Sequence, residues 1–301
     1  VHRRPPLLPE GYGLGAHDSF RAAVGFMLLS AASFAVMGAF VKAAGDIPVH
    51  EKVFFRNLVT LVITVAMALK RRENPFGPTD HLPLLLVRSF AGLAGVFLYF
   101  YAIGHLNLAD AALLNKVSPF FVTIFAALWL GEALTGRVVG GVVLAFVGAA
   151  LVIKPTFALQ PIPTLAGLGS ALAAGLAYTI VRSLKGKERP FRIVFYFSLI
   201  STLAMIPPLI VDHVVPSGWQ WVWLIGMGVA AAGGQVFLTL AYHRAPAAQI
   251  SIWSYNHVLF SLLIGWAVWS EHPDRLTYVG GALIVLAAWL NRRGRSASMP
   301  R

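Results

Sequence analysis

The chain contains no cysteine, which excludes a disulfide framework, a thiolate metal site and a cysteine nucleophile and leaves the redox compartment unread. Charge is scarce too. Asp, Glu, Lys and Arg make up 12% of the 301 residues, about half the usual share of a soluble domain. None of the 12 Asp and Glu residues lies in the middle of an apolar run; Asp110, Glu132 and Glu271 stand at run ends. That absence argues against the embedded carboxylate relays on which proton-coupled carriers commonly rely. There is no Walker sequence and no H-E-x-x-H, so ATP-driven pumping and zinc proteolysis are both disfavoured. The glycine motif "GYGLG" at 11–15 follows no strand and is not a dinucleotide fingerprint.

What the chain has in abundance is apolar sequence, with 57% hydrophobic residues and a mean hydropathy of +0.72. A membrane helix needs about 20 mostly apolar residues. Ten runs approach that length: 20–44, 48–70, 81–104, 109–131, 137–154, 163–184, 190–211, 217–242, 247–270 and 275–292. Turn-forming separators divide them, among them "GDIP", "RRENPFGPTD", "KGKERP", "DHVVPSG" and "EHPD". The expectation is an all-α integral membrane protein of ten transmembrane helices. The Pro- and Gly-rich residues 1–19 read as a disordered cytoplasmic tail and 293–301 as a basic cytoplasmic tail. Residues 155–162 read as a linker on the outer side.

The net charge of +12 would suit nucleic acid only if the basic residues formed one patch. They follow the loops instead. Of 24 Lys and Arg residues, only Lys42, Lys52, Lys154 and Arg275 fall on one side of the alternating spans, Arg56, Arg88 and Lys116 lie within spans, and the rest share the other side. The positive-inside rule therefore predicts that both termini are cytoplasmic, in a bacterial inner membrane, and makes nucleic acid unnecessary.

Two stretches repeat. "ADAALLNKVSPFFVTIFAALWLGEALTGRVVGGVVLAFVGAALV" (109–152) and "AQISIWSYNHVLFSLLIGWAVWSEHPDRLTYVGGALIVLAAWL" (248–290) share a small-residue start, a span-ending Glu, a polar turn, a Gly pair and a closing span. Aligning Glu132 with Glu271 sets Lys116 opposite Tyr255 and Ser118 opposite His257. A weaker match of 25–42 with 167–184 sets Arg56 beside Ser198. Five spans in each half, 20–154 and 163–292, imply insertion in opposite senses: two inverted-topology five-helix repeats around a central cavity that forms a solute path. Small residues spaced by four, as in Gly136/Gly140, Gly141/Ala145, Ala91/Gly95 and Gly167/Ala171/Gly175, read as helix-packing positions.

These features resemble the drug/metabolite transporter superfamily in its ten-span EamA type, and within it the YddG-type exporters of aromatic and other amino acids. The resemblance rests on "WLGEALTG", "VWSEHPDR", the following "GG" pairs, "FFRNLV" (54–59) and "YAIGHLNLADAALLNKVSPFF" (101–121). It implies two five-helix halves in a basket around a central cavity.

The residues themselves supply candidates for that cavity. Lys116 lies about 10 Å and Arg56 about 12 Å below the outer boundary of their spans. A cation in hydrocarbon normally faces the bundle interior, although both side chains are long enough to reach the headgroups. Lys116, with Arg56, is expected to attract a substrate carboxylate. Arg88, near the inner face, reads as a snorkelling residue. Near the middle of the ninth span, Asn256 and His257 with Trp253 and Tyr255 are expensive in lipid and useful in a wet cavity, or alternatively serve as interhelical hydrogen bonds. Tyr99, Tyr101 and Tyr178 are offered as aromatic lining, Asn115 and Ser118 as polar neighbours of Lys116, and Pro119 as a kink that bends the fourth span during gating.

The expected function is export of small zwitterionic metabolites, amino acids including aromatic ones, by alternating access with facilitated or weak coupling. An organic-phosphate or nucleotide-sugar exchanger is the alternative within transport, and a lipid-linked membrane enzyme or scramblase-like protein the alternative outside it. The expected partners are a small-molecule substrate and the lipid bilayer, with no nucleic acid, no metal and no cofactor, and the chain is expected to work as a monomer.

Overall fold

A computed structural model describes residues 16–77, 80–105, 114–153, 161–270 and 275–293. The described chain is helical: α1 Ala16–Ala43, α2 Val49–Lys70, α3 Leu82–His105, α4 Ser118–Leu130, α5 Gly136–Ile153, α6 Pro161–Ser183, α7 Pro190–Val211, α8 Trp219–Arg244, α9 Ala247–Ser251, a 3₁₀ turn Ile252–Tyr255, α10 Asn256–Trp269 and α11 Arg275–Arg293. The expected linker core, Lys154, Asp110, Glu271 and most of both tails lie outside the described residues. Where a Pro-containing separator was quoted, boundaries match closely, because Pro sits well in a first helical turn and stops a preceding helix. α7, for instance, starts at Pro190. α1 starts at Ala16, ahead of the expected residue 20.

Among the described residues, six helices are long and apolar enough to cross a membrane: α1, α2, α3, α6, α7 and α8. Three shorter apolar helices coincide with α4, α5 and α11. The fourth and ninth expected spans are not continuous helices. At Lys116 and Val117 the chain turns, the Val117 amide bonding to the Leu114 carbonyl at 3.1 Å, before α4 begins. At the matching place in the second half, Ile252–Tyr255 winds as a 3₁₀ turn before α10. Pro119 occupies the first turn of α4, where its missing N–H costs nothing, and the break precedes it.

Packing pairs the two halves element by element. α1 lies against α8 and α3 against α6; α2 lies against α7 and α5 against α11; the α9–α10 segment meets α1 as α4 meets α6. Exchanging the halves leaves this set of pairs unchanged. Close approach depends on glycine at α6, where a Cβ on Gly175 would stand 2.5 Å from the Phe121 Cβ. Gly136 and Gly140 are corrections, since a Cβ on either would meet nothing within 4 Å beyond its own helix and both are exposed. Outside the pairs, large side chains such as Val62, Leu128, Leu165 and Ile210 stand exposed, as a lipid-facing surface requires and a water-facing one does not.

The loops interlock at both ends. At the basic end, the α6–α7 loop meets the α2–α3 loop through the Arg189–Glu73 ion pair, and from α7 the Tyr196 hydroxyl donates to the Phe76 carbonyl of that loop at 3.1 Å. At the opposite end, the Val214 amide donates to Glu51 at 3.1 Å, tying the α7–α8 loop to α2.

Candidate substrate-binding site

The two helix breaks meet. Breaking a helix frees a carbonyl that a nonpolar surrounding cannot satisfy, so some other donor must reach it. The Tyr255 hydroxyl, from the 3₁₀ turn, donates to the Lys116 carbonyl at 2.8 Å. Tyr255 is itself fully buried against Val142, Ala145, Ile284 and Ala287. The residues that the repeat register set opposite one another are therefore in contact.

Around this junction stand several of the predicted residues. Lys116 and His257 are electrostatic neighbours, and the His257 ring lies beside the Phe34 backbone of α1. Both residues are partly buried. The Asn115 amide donates to Ser170 on α6 at 3.2 Å, while Ser118 is buried in the first turn of α4. Asn256 folds back onto the Trp253 carbonyl at 2.9 Å and so caps its own turn. The Trp253 indole N–H is buried without a partner among the described residues, a donor left for something else.

A second group lies between α2, α3, α6, α7 and α8. Arg88 is 1% exposed, against the snorkelling role expected of it. Its Nη2 donates to Gln235 at 2.9 Å and its guanidinium lies over the Phe197 ring, 4.2 Å from the centroid. The reason is its helix face, which it shares with Leu85, Gly92 and Gly95; the small-residue pattern Ala91/Gly95 pointed toward this packed side of α3. Arg56 is 3% exposed and approaches the same ring at 5.7 Å. It donates to Asn57 at 3.0 Å and toward the Met37 sulfur at 3.4 Å. Tyr178, stacked on Tyr242, is an electrostatic neighbour of both arginines. Among the described residues neither arginine has a carboxylate partner.

Two predicted aromatics stand apart from these groups. Tyr99 packs among Val53, Phe100 and Met205 and against Ala102. Tyr101 is 37% exposed and its ring lies tilted against His105, with centroids 4.2 Å apart.

The most connected polar group went unassigned in the sequence. α4 ends at Gly131, whose left-handed backbone (φ 64°) lets the Glu132 amide bond back to the Ala126 carbonyl at 3.1 Å. Glu132 is thereby aimed at the start of α9. It accepts from the Ala247 and Ala248 amides at 3.0 and 3.1 Å and from Arg182 Nε at 3.1 Å. Arg182 also donates to the Tyr242 carbonyl at 3.2 Å. One carboxylate thus ties α4 of the first half to α6, α8 and α9 of the second. The repeated "GE" and "SE" span ends were its visible signal. Ser270, equivalent to Gly131, is left-handed too (φ 55°).

The profile of the EamA-like transporter family matches twice, at residues 21–154 and 162–293. The chain belongs to the EamA-like transporter family. It is a multi-pass membrane protein of that family, built from two copies of the unit. It is 38% identical over 274 residues to the pseudopaline exporter CntI of Pseudomonas aeruginosa, covering 90% of this chain and 95% of that one. It is 27% identical over 279 residues to human solute carrier family 35 member G1, covering 87% and 76%, and 27% identical to an uncharacterized transporter of Helicobacter pylori, covering 89% and 93%. A solved crystal structure superimposes on this EamA-like chain with a TM-score of 0.81 at 18% identity, covering 90% of this chain and 96% of that one. At that identity the likeness speaks to fold alone.

Proposed function

We propose that this EamA-like chain is an inner-membrane exporter of small, amino-acid-like metabolites bearing carboxylates, moving them by alternating access. The observation that carries the proposal is the position of the bundle's cations. Lys116 stands partly buried at the junction of the two broken helices, where a cation in a membrane span is costly unless a solute uses it. Broken helices meeting between two repeats are the arrangement in which secondary transporters bind solutes. The same reading places ten spans in two inverted halves with both termini cytoplasmic, since the basic loops gather at one end of the bundle. Lys116 draws the carboxylate, while Trp253, Tyr178 and His257 contact the remainder. The absence of embedded carboxylates favours facilitated or weakly coupled flux.

CntI is described as exporting pseudopaline, so that solute belongs beside amino acids, aromatic ones included, in the first flux assay. Proteoliposomes carrying the protein and loaded in turn with labelled amino acids, pseudopaline, sugars and organic phosphates are expected to release one of the first two classes. Obligatory exchange with competition by phosphate would instead establish the organic-phosphate exchanger, a reading that the two buried arginines keep open. Release of none of these solutes would refute export of this class.

A further inference from the structure

The buried cations form two groups, and only one is accounted for by a single carboxylate. Lys116 is an electrostatic neighbour of His257 at the helix junction. Arg56 and Arg88 stand elsewhere, on α2 and α3, beside the Phe197 ring and Tyr178. Two like charges held together in a nonpolar interior repel, and each has lost its hydration; such an arrangement persists when an anion completes it. Nothing described in the chain supplies that anion: Arg88 Nη2 has only the neutral Gln235, and Arg88 Nε and Nη1 are buried with no partner at all. Arginine presents paired N–H groups in a fork that matches a carboxylate. One turn along α7 from Phe197, the Ser201 and Thr202 hydroxyls are likewise buried and unpartnered. This polar cluster draws on both halves: the cations come from the first, the aromatic ring and the amide from the second.

We infer that Arg56 and Arg88 form a second anion-binding subsite, so that the transported metabolite carries two carboxylates, one drawn by Lys116 and one held between the arginines. This deepens the transport reading and rests on it. It also limits the substrates. Simple zwitterions fill one subsite and leave the arginine pair unneutralised, whereas an amino-acid-derived dicarboxylate fills both.

Iminodiacetate and sarcosine separate these cases, because they share a secondary amine and one carboxymethyl arm and differ by the second carboxylate. The full chain in lipid nanodiscs and metal-free buffer is titrated with each, and dissociation constants are read from the thermal midpoint. Iminodiacetate is expected to bind about 10- to 100-fold more tightly than sarcosine, the range for an added charge-assisted hydrogen-bonded pair. Arg88→Gln is expected to bring iminodiacetate down to the level of sarcosine, Arg56→Gln to act in the same direction, and Arg88→Lys to recover part of the loss. Equal affinity of the wild type for the two compounds overturns the inference without needing any variant to fold. So does an iminodiacetate advantage that survives both glutamine substitutions. A preserved dicarboxylate preference without flux in vesicles counts against the transport reading alone, and flux of zwitterions with no preference counts against the second subsite alone.

Discussion

Removing one charge at Glu132 should open the basic end of the bundle. The carboxylate accepts three bonds, from Ala247, Ala248 and Arg182, and both side chains of the ion pair are well shielded, at 12% exposure for Glu132 and 18% for Arg182. Charge-assisted hydrogen bonds contribute about 1.5–3 kcal/mol each, and a carboxylate at a helix start adds a few tenths more. Glu132→Gln keeps an acceptor oxygen for one α9 amide but loses the charge, and it leaves Arg182 holding only the Tyr242 carbonyl. A loss of about 3 kcal/mol follows, which shifts a closed-to-open equilibrium by about 100-fold. The chain has no cysteine of its own, so a single reporter thiol reads the opening without background. Ser251, 1% exposed on α9, becomes that reporter as Ser251→Cys. Its maleimide labelling from the basic side of sealed vesicles should rise by about 100-fold when Glu132→Gln is added. A change within roughly twofold, the scale of an inert surface substitution, in a folded protein would refute the idea that this carboxylate holds the end closed.

Three further outcomes follow from individual contacts. Tyr255→Phe leaves the Lys116 carbonyl without its donor and should cost about 1–3 kcal/mol, seen as a lowered thermal midpoint with the buried ring still packed. Ser270→Gly relieves a left-handed backbone at a non-glycine residue and should stabilise the protein by about 1 kcal/mol, raising the midpoint. Gly175→Ala drives a methyl group into Phe121 and should destabilise by about 1–3 kcal/mol, whereas the same change at Gly140, which faces open space, should leave the midpoint close to the wild type.

The helix positions were readable because apolar runs and Pro- or Gly-bearing separators report directly on helices and their ends. The interruptions were not. Hydropathy over 109–131 or 247–270 is blind to which backbone carbonyl lacks a partner, so the turn at Lys116 and the 3₁₀ turn at Ile252–Tyr255 read as continuous spans. Pro119 was correctly seen as unusual, but its tolerance in a first turn was outweighed by its place in the middle of the run. The repeat register carried more information than either: it set Tyr255 opposite Lys116, and the two are hydrogen-bonded. Depth misled for Arg88, since its distance from the inner face suggested snorkelling, while its neighbours Gly92 and Gly95 mark the packed side of α3. Glu132 was seen as a repeat marker, and its partners, distant in sequence, appear only once the halves are packed.

The account turns on Lys116 taking part in solute recognition from inside the bundle. Counterflow of labelled substrate in proteoliposomes, comparing the wild type with Lys116→Ala at matched protein orientation, tests this most directly. The account predicts that the substitution lowers solute affinity by about tenfold or more, the scale of one charge-assisted hydrogen bond, with the protein still folded and inserted. Counterflow unchanged in both rate and half-saturation would contradict it.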